Sequence, residues 1–85
     1  MHTSSREWEY ITKLAETGSF SAAAEKLFIS QPSLSQFIRR IEKQMGTPLF
    51  ERRGSGVILT EAGRIYLAAE EKVREIYRER DQYGK

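Results

Sequence analysis

Residues 30–46, SQPSLSQFIRRIEKQMG, constrain this chain more than any other segment. Leu34, Phe37, Ile38, Ile41 and Met45 fall at i, i+3, i+4, i+7 and i+11, which lays one apolar stripe along an α-helix. Ser30 is placed to cap that helix, and Pro32 falls in its first turn, where a missing backbone donor does no harm. Gly46 ends it as a left-handed cap. The opposite side presents Gln36, Arg39 and Lys43, flanked by Ser35 and Arg40. Such a helix must lie on a core by one face and show polar, cationic groups on the other.

The preceding residues supply the core. Trp8, Ile11, Leu14 and Ala15 recur at helical spacing, and Gly18 closes a first helix. Ser21 is read as the N-cap of a short second helix over residues 22–28, whose inward face offers Ala23, Ala24 and Leu27. After Pro48, residues 49–53 and 57–60 are strand-like, and Gly54-Ser55-Gly56 between them supplies positive-φ positions for a β-hairpin. Thr60 caps a last, long helix, with Glu61 at its positive end. The expected fold class is mainly α: a winged helix-turn-helix of three helices plus a β-hairpin wing over residues 1–60, then a long C-terminal dimerisation helix over residues 61–85.

In that last helix Ala62, Tyr66, Ala69, Val73, Ile76 and Tyr83 follow alternating steps of four and three, with Arg80 at the one polar position. This is a heptad seam, and Ile65 and Tyr77 lie beside it. A helix folded back onto its own core is the competing reading. The seam continues past any core so short a domain offers, so two copies are expected to pair through it as a homodimer.

Charge bears on the partner. Net charge is only +2, but residues 31–60 carry five cations against two carboxylates, while residues 1–30 are net negative and residues 61–85 balance. The positive surplus sits in the middle third, where a polyanion would be met. With no cysteine, thiolate metal sites and disulfides are excluded, and no cofactor or metal is expected. The single histidine, His2, is at the terminus, the single aspartate, Asp81, is near the other, and no phosphate-cradling glycine loop leads from strand to helix. No catalytic residue is assigned, and the chain is not expected to be an enzyme. No stretch approaches the roughly 20 apolar residues of a membrane span, and no signal-peptide apolar region follows Met1, so a soluble, cytoplasmic protein is expected.

A helix is about as wide as the DNA major groove, so the amphipathic third helix suits double-stranded DNA. Gln pairs bidentately with adenine, Arg with guanine, and Ser with base or phosphate. Residues near the helix start reach deepest, which favours Gln31, Ser33, Ser35 and Gln36 as base or phosphate contacts. Arg39 and Lys43, with Arg40 beside them, lie further along and suit phosphates. Arg52 and Arg53 make the hairpin a basic wing for backbone or minor-groove contact, and Glu51, or a carboxylate on a neighbouring element, is positioned to hold Arg52 as an ion pair. Taken singly, these features also fit a solvated helix face and a charged edge hairpin. Trp8 and Phe20 are read as core, and Tyr10 as core or stacking platform. Two other functions stand beside sequence-specific binding: a winged-helix protein-interaction module, and a nonspecific architectural DNA binder. The first does not need Arg39, Arg40, Lys43, Arg52 and Arg53 to converge, and the second does not need the Gln and Ser residues at the helix start.

The order of residues adds a resemblance. Residues 18–63, dense in AAEKL, SQPSLS, IRRIE, G-x-PLFER and LTEAG, closely resemble the N-terminal domain of LysR-type transcriptional regulators. The resemblance implies a bacterial regulator that binds an interrupted inverted repeat as paired domains, with the last segment as an antiparallel linker helix. By position it places base and backbone contacts on Gln31, Pro32, Ser33, Ser35 and Gln36, and wing contacts on Arg52 and the following loop. Many members have Arg where this chain has Gln36, and a basic residue near the wing tip where it has Ser55. Full-length members also carry a larger C-terminal domain, so a small-molecule effector is expected only where such a domain exists outside this chain.

Overall fold

The computed structural model describes residues 5–83, with side chains through Arg78. Its elements are α1 (Ser5–Thr17), α2 (Phe20–Leu27), α3 (Gln31–Met45), β1 (Phe50–Arg53), β2 (Gly56–Leu59) and α4 (Glu61–Tyr83). Ile11 and Leu14 of α1, Ala23 and Ala24 of α2, and Leu34, Ile38 and Ile41 of α3 form the core, and the hairpin region closes it with Leu49, Phe50 and Val57. This is the expected mainly α winged helix-turn-helix with a long last helix. The two buried alanines allow α2 to lie close to α1, because neither side chain holds the helices apart.

Helix α3 begins and ends as its sequence dictates: Ser30 Oγ accepts from Ser33 N at 3.2 Å, Pro32 is in the first turn, and Gly46 caps the end at φ 77°. Its stripe stops short, however. Met45 is 44% exposed, because the last turn before Gly46 runs past the core.

Helix α2 differs from expectation at both ends. Ser19, not Ser21, is the N-cap: it is extended, and its hydroxyl accepts from Ala22 N at 3.1 Å. Phe20 can then turn its ring onto the core from the first helical position, while Ser21 is left exposed. At the other end Phe28 is left-handed, at φ 60°, ψ 39°. Its N–H donates to Glu25 O at 3.2 Å and that of Ile29 to Ala24 O at 3.1 Å, the paired bonds of a Schellman ending. An aromatic residue 93% exposed thus occupies a position where glycine is usual.

The hairpin is tighter than expected. Gly56 belongs to β2, opposite Arg53, and only Gly54 and Ser55 make the turn. Positive φ at Gly54 and not at Ser55 fits a type II′ turn, which matches the strand twist. Glu42 of α3 fastens the hairpin, its carboxylate accepting from Leu49 N at 2.7 Å and Phe50 N at 3.2 Å. Val57 N also donates to Gly18 O at 3.0 Å, joining β2 to the turn before α2.

Thr60 starts α4 as expected, accepting from Gly63 N at 3.0 Å while donating to Pro48 O at 2.8 Å. Gly63 is buried there against the Leu49 carbonyl and the Leu59 side chain, and a Cβ would collide with both. Ala62, Tyr66 and Leu67 rest on the core, and further along Arg74 lays its guanidinium 4.4 Å from the centroid of the Trp8 ring. The helix therefore has an intramolecular partner further along than its sequence suggested. Trp8 is half-buried and forms a platform for a cation of its own chain.

Candidate nucleic-acid interface

On α3 the residues Gln31, Pro32, Ser33, Gln36, Arg39, Arg40 and Lys43 are all exposed, and Ser35 is half-buried. At about 100° per residue, Pro32, Gln36 and Lys43 stand opposite the buried Leu34, Ile38 and Ile41. Gln31, Ser35 and Arg39 fall on the edge facing the hairpin, and Ser33 and Arg40 on the other edge.

The two edges have different surroundings. The hairpin edge borders a cleft in which Gln31, Ser35 and Arg39 face Phe50, Arg52 and Val57. Its continuation is lined by Ser19, Ser21 and Ser55, so the start of α2 opens onto the same space. Arg52 points there because strand side chains alternate: Phe50 and Arg52 share the inner face, Glu51 and Arg53 the outer. Accordingly Glu51 pairs with Arg53, at 3.5 Å, and the ion pair expected between Glu51 and Arg52 is not the one formed. Both partners are more than half exposed or nearly so, and an ion pair in that setting contributes about 0–1 kcal/mol. It leaves Arg53 available to a stronger anion.

On the far edge the Arg40 guanidinium lies 5.1 Å from the Phe37 centroid, and Phe37 packs on Tyr10 with centroids 4.6 Å apart. Tyr10 is thus a core residue, and Arg40 a cation steadied over a ring, an interaction of about 0.5–1 kcal/mol at exposed sites. Ser33 Oγ accepts from Ser30 Oγ at 2.8 Å, which draws its hydroxyl into the cap.

The residues expected at a dimer seam divide. Ile65, Ala69, Ile76 and Tyr77 are exposed, Ile65 by 62%, and Val73 is half-buried. Tyr66 packs on the chain's own core, and the Tyr83 side chain lies outside the described residues. Sequence reasoning missed the contribution of Ser19 and Ser21 to the cleft, and the fastening role of Glu42. The cap one turn before the alanines was the available signal for the first; nothing local marked the second. Among the described residues no three His, Asp or Glu side chains are grouped to hold a metal, and no helix is long and apolar enough to cross a membrane.

Comparison with known proteins gives the arrangement its context. Residues 5–64 match the model of the bacterial regulatory helix-turn-helix proteins of the lysR family. The HTH-type transcriptional activator CmpR of Synechocystis is 42% identical over 67 residues, covering 79% of this chain and 22% of its own length. The HTH-type transcriptional regulator BudR of Klebsiella aerogenes is 49% identical over 61 residues, 72% of this chain and 43% of its own. The matched part of the chain thus spans between about a fifth and somewhat over two fifths of the length of these relatives. Among solved structures, the CbnR DNA-binding domain in complex with DNA superposes with a TM-score of 0.79 at 32% identity, covering 94% of this chain and 93% of that one. The BenM DNA-binding domain with benA site 1 DNA gives 0.79 at 30% identity, with the same coverage.

Proposed function

The chain belongs to the LysR family of bacterial helix-turn-helix regulators, and on that premise we propose that it is a sequence-specific binder of double-stranded DNA that regulates transcription. One observation carries the reading: a helix buried by Leu34, Ile38 and Ile41 presents Gln36, Arg39 and Lys43 outward beside a cleft closed by Arg52 of the wing. Two of the solved structures it resembles are complexes with DNA.

In this reading α3 enters the major groove from its N-terminal end. Gln31, Ser35 and Gln36 meet base edges, with Pro32 against the groove floor and Ser33 near the backbone. Arg39, Arg40 and Lys43 neutralise phosphates, and Arg52 and Arg53 hold the flanking backbone from the wing. Residues 1–60 form the DNA-binding head and residues 61–85 the linker helix. Pairing through Ile65, Ala69, Val73, Ile76 and Tyr77, with Tyr83 further along, joins two heads into a homodimer, whose second half-site contact becomes effectively intramolecular. Such a protein acts in the cytoplasm and needs no catalytic group or cofactor in this domain.

Selection of preferred sites from random duplexes tests the proposal. Two similar half-sites in inverted orientation are expected. Tight binding without enrichment would mark a nonspecific architectural protein, and absence of binding a protein-interaction module.

A further inference from the structure

Helix α4 meets its own head along one face, from Gly63 near its start to Arg74 further along, and leaves a second face uncovered. Near its start, Gly63 sits directly on the Leu49 carbonyl, with Tyr66 and Leu67 on the core beside it. Eleven residues on, about 16 Å along the axis, Arg74 stacks over Trp8. Glu70, one turn before Arg74 on the same face, is only 7% exposed. At about 100° per residue, the exposed Ile65, Ala69 and Ile76 fall on a different face from Gly63, Glu70 and Arg74. The close contact at Gly63 is a pivot; the stack at Trp8 fixes the direction in which the helix leaves it. Trp8 itself is held only by what surrounds its ring, since its buried indole N–H has no hydrogen-bond partner among the described residues.

Resting on the DNA-binding reading above, we infer that Trp8 and Arg74 are positioning residues that set the angle between head and linker helix, and thereby the half-site spacing the dimer accepts. The geometry makes this sensitive. Any tilt about the pivot displaces the recognition helix in proportion to its distance from Gly63. For each ~10 Å of arm, a tilt of about 5° moves each α3 by about 0.9 Å, and two heads tilting oppositely change their separation by about twice that, against a base-pair step of about 3.4 Å. A pivot alone leaves that freedom open. A stack about 16 Å from the pivot removes it.

Two measurements test the inference together. The chain has no cysteine, so Glu25→Cys with Glu71→Cys, both at exposed positions, places one spin label on the head and one on the outer side of α4. With labelled chains diluted in unlabelled ones and no DNA present, Arg74→Leu and Trp8→Ala should broaden the label–label distance distribution at least about twofold, while Arg74→Lys and Trp8→Phe should leave it near the original width. On duplexes carrying two copies of the selected half-site, separated in one-base-pair steps across a helical turn, the original chain should favour one spacing at least tenfold over its neighbours. Arg74→Leu should cut that preference to within about threefold, with single half-site affinity unchanged within about twofold. Should Arg74→Leu lose helicity by circular dichroism, Arg74→Gln takes its place. Unchanged widths, or an unchanged spacing profile, overturn the inference. So does a loss of single half-site affinity as large as the loss of spacing preference, which would mean a merely structural role. If the original chain binds no duplex at all, the DNA-binding reading falls by itself, and the distance widths still decide whether this joint orients the head.

Discussion

Helices α3 and α4 carry apolar residues at nearly the same spacing, and they meet opposite fates. In α3 the stripe is satisfied within the chain: Leu34, Ile38 and Ile41 are 0%, 2% and 3% exposed. Among the described residues of α4 no apolar side chain is fully buried, while Ile65 and Ile76 are 62% and 49% exposed. The difference is one of surroundings. Helix α3 lies between two short helices and a hairpin, so its apolar side has neighbours along most of its length. Helix α4, 23 residues long, is touched by its head on one side only, which leaves a second stripe uncovered. Periodicity states that a face needs a partner and not where the partner comes from.

Substitutions can break or sharpen this contrast. The largest effect is expected at Leu34→Ala, which opens a cavity in the centre of the head and should lower unfolding free energy by about 2–5 kcal/mol in urea titrations. A loss under about 1 kcal/mol would mean that the α3 stripe is not the centre of the core. Ile76→Asp should do the reverse: helicity and head stability stay unchanged, while sedimentation shows dimer dissociation strengthened at least 100-fold, about 2.7 kcal/mol. A chain already monomeric at tens of micromolar, or a variant still dimeric, removes the partner copy from the comparison. On the covered side of the same helix, Gly63→Ala forces a methyl group against the Leu49 carbonyl, and about 1–3 kcal/mol of stability should be lost in thermal melts.

Smaller effects refine the picture on the α3 side. Arg52→Ala should flatten the log–log salt dependence of DNA affinity by roughly one unit, because one phosphate contact releases one counterion. Arg53→Ala, whose guanidinium is shared with Glu51, should flatten it less. Equal slopes would mean that the inner and outer faces of β1 do not differ toward DNA. Last, Phe28→Gly relieves a left-handed aromatic that buries almost nothing, and should raise stability by about 0.5–1 kcal/mol, read from the denaturation midpoint. A loss instead would show that Phe28 makes a contact that outweighs its backbone.

Much of the head could be read from the chain. Ser30, Pro32, Gly46 and Thr60 mark their boundaries because capping depends on residues within one turn of each other. The α2 boundaries were harder for the same reason turned around. Two serines flank Phe20, and only the pull of that ring toward the core selects Ser19; a phenylalanine at the left-handed position carries no local signal. The candidate interface was legible in its members and not in its grouping. That Arg52 joins Gln31 while Arg53 joins Glu51 follows from the hairpin register, which depends on a two-residue turn in place of three. The stack of Arg74 on Trp8 links residues 66 positions apart, and no pattern within either segment announces it.

The bond from Val57 to Gly18 has a consequence for how such a head can vary over evolutionary time. It closes a ring of chain from the end of α1 to the second strand. Gly56 lies so close to the Gly18 carbonyl that even one added carbon is shut out. Lengthening a connection inside the ring strains that closure, and the hairpin tip has room to absorb it, since a Cβ on Gly54 would meet nothing within 4 Å. The tip is therefore a place where changes in how far the wing reaches can accumulate, while the approach of Gly56 to Gly18 stays fixed.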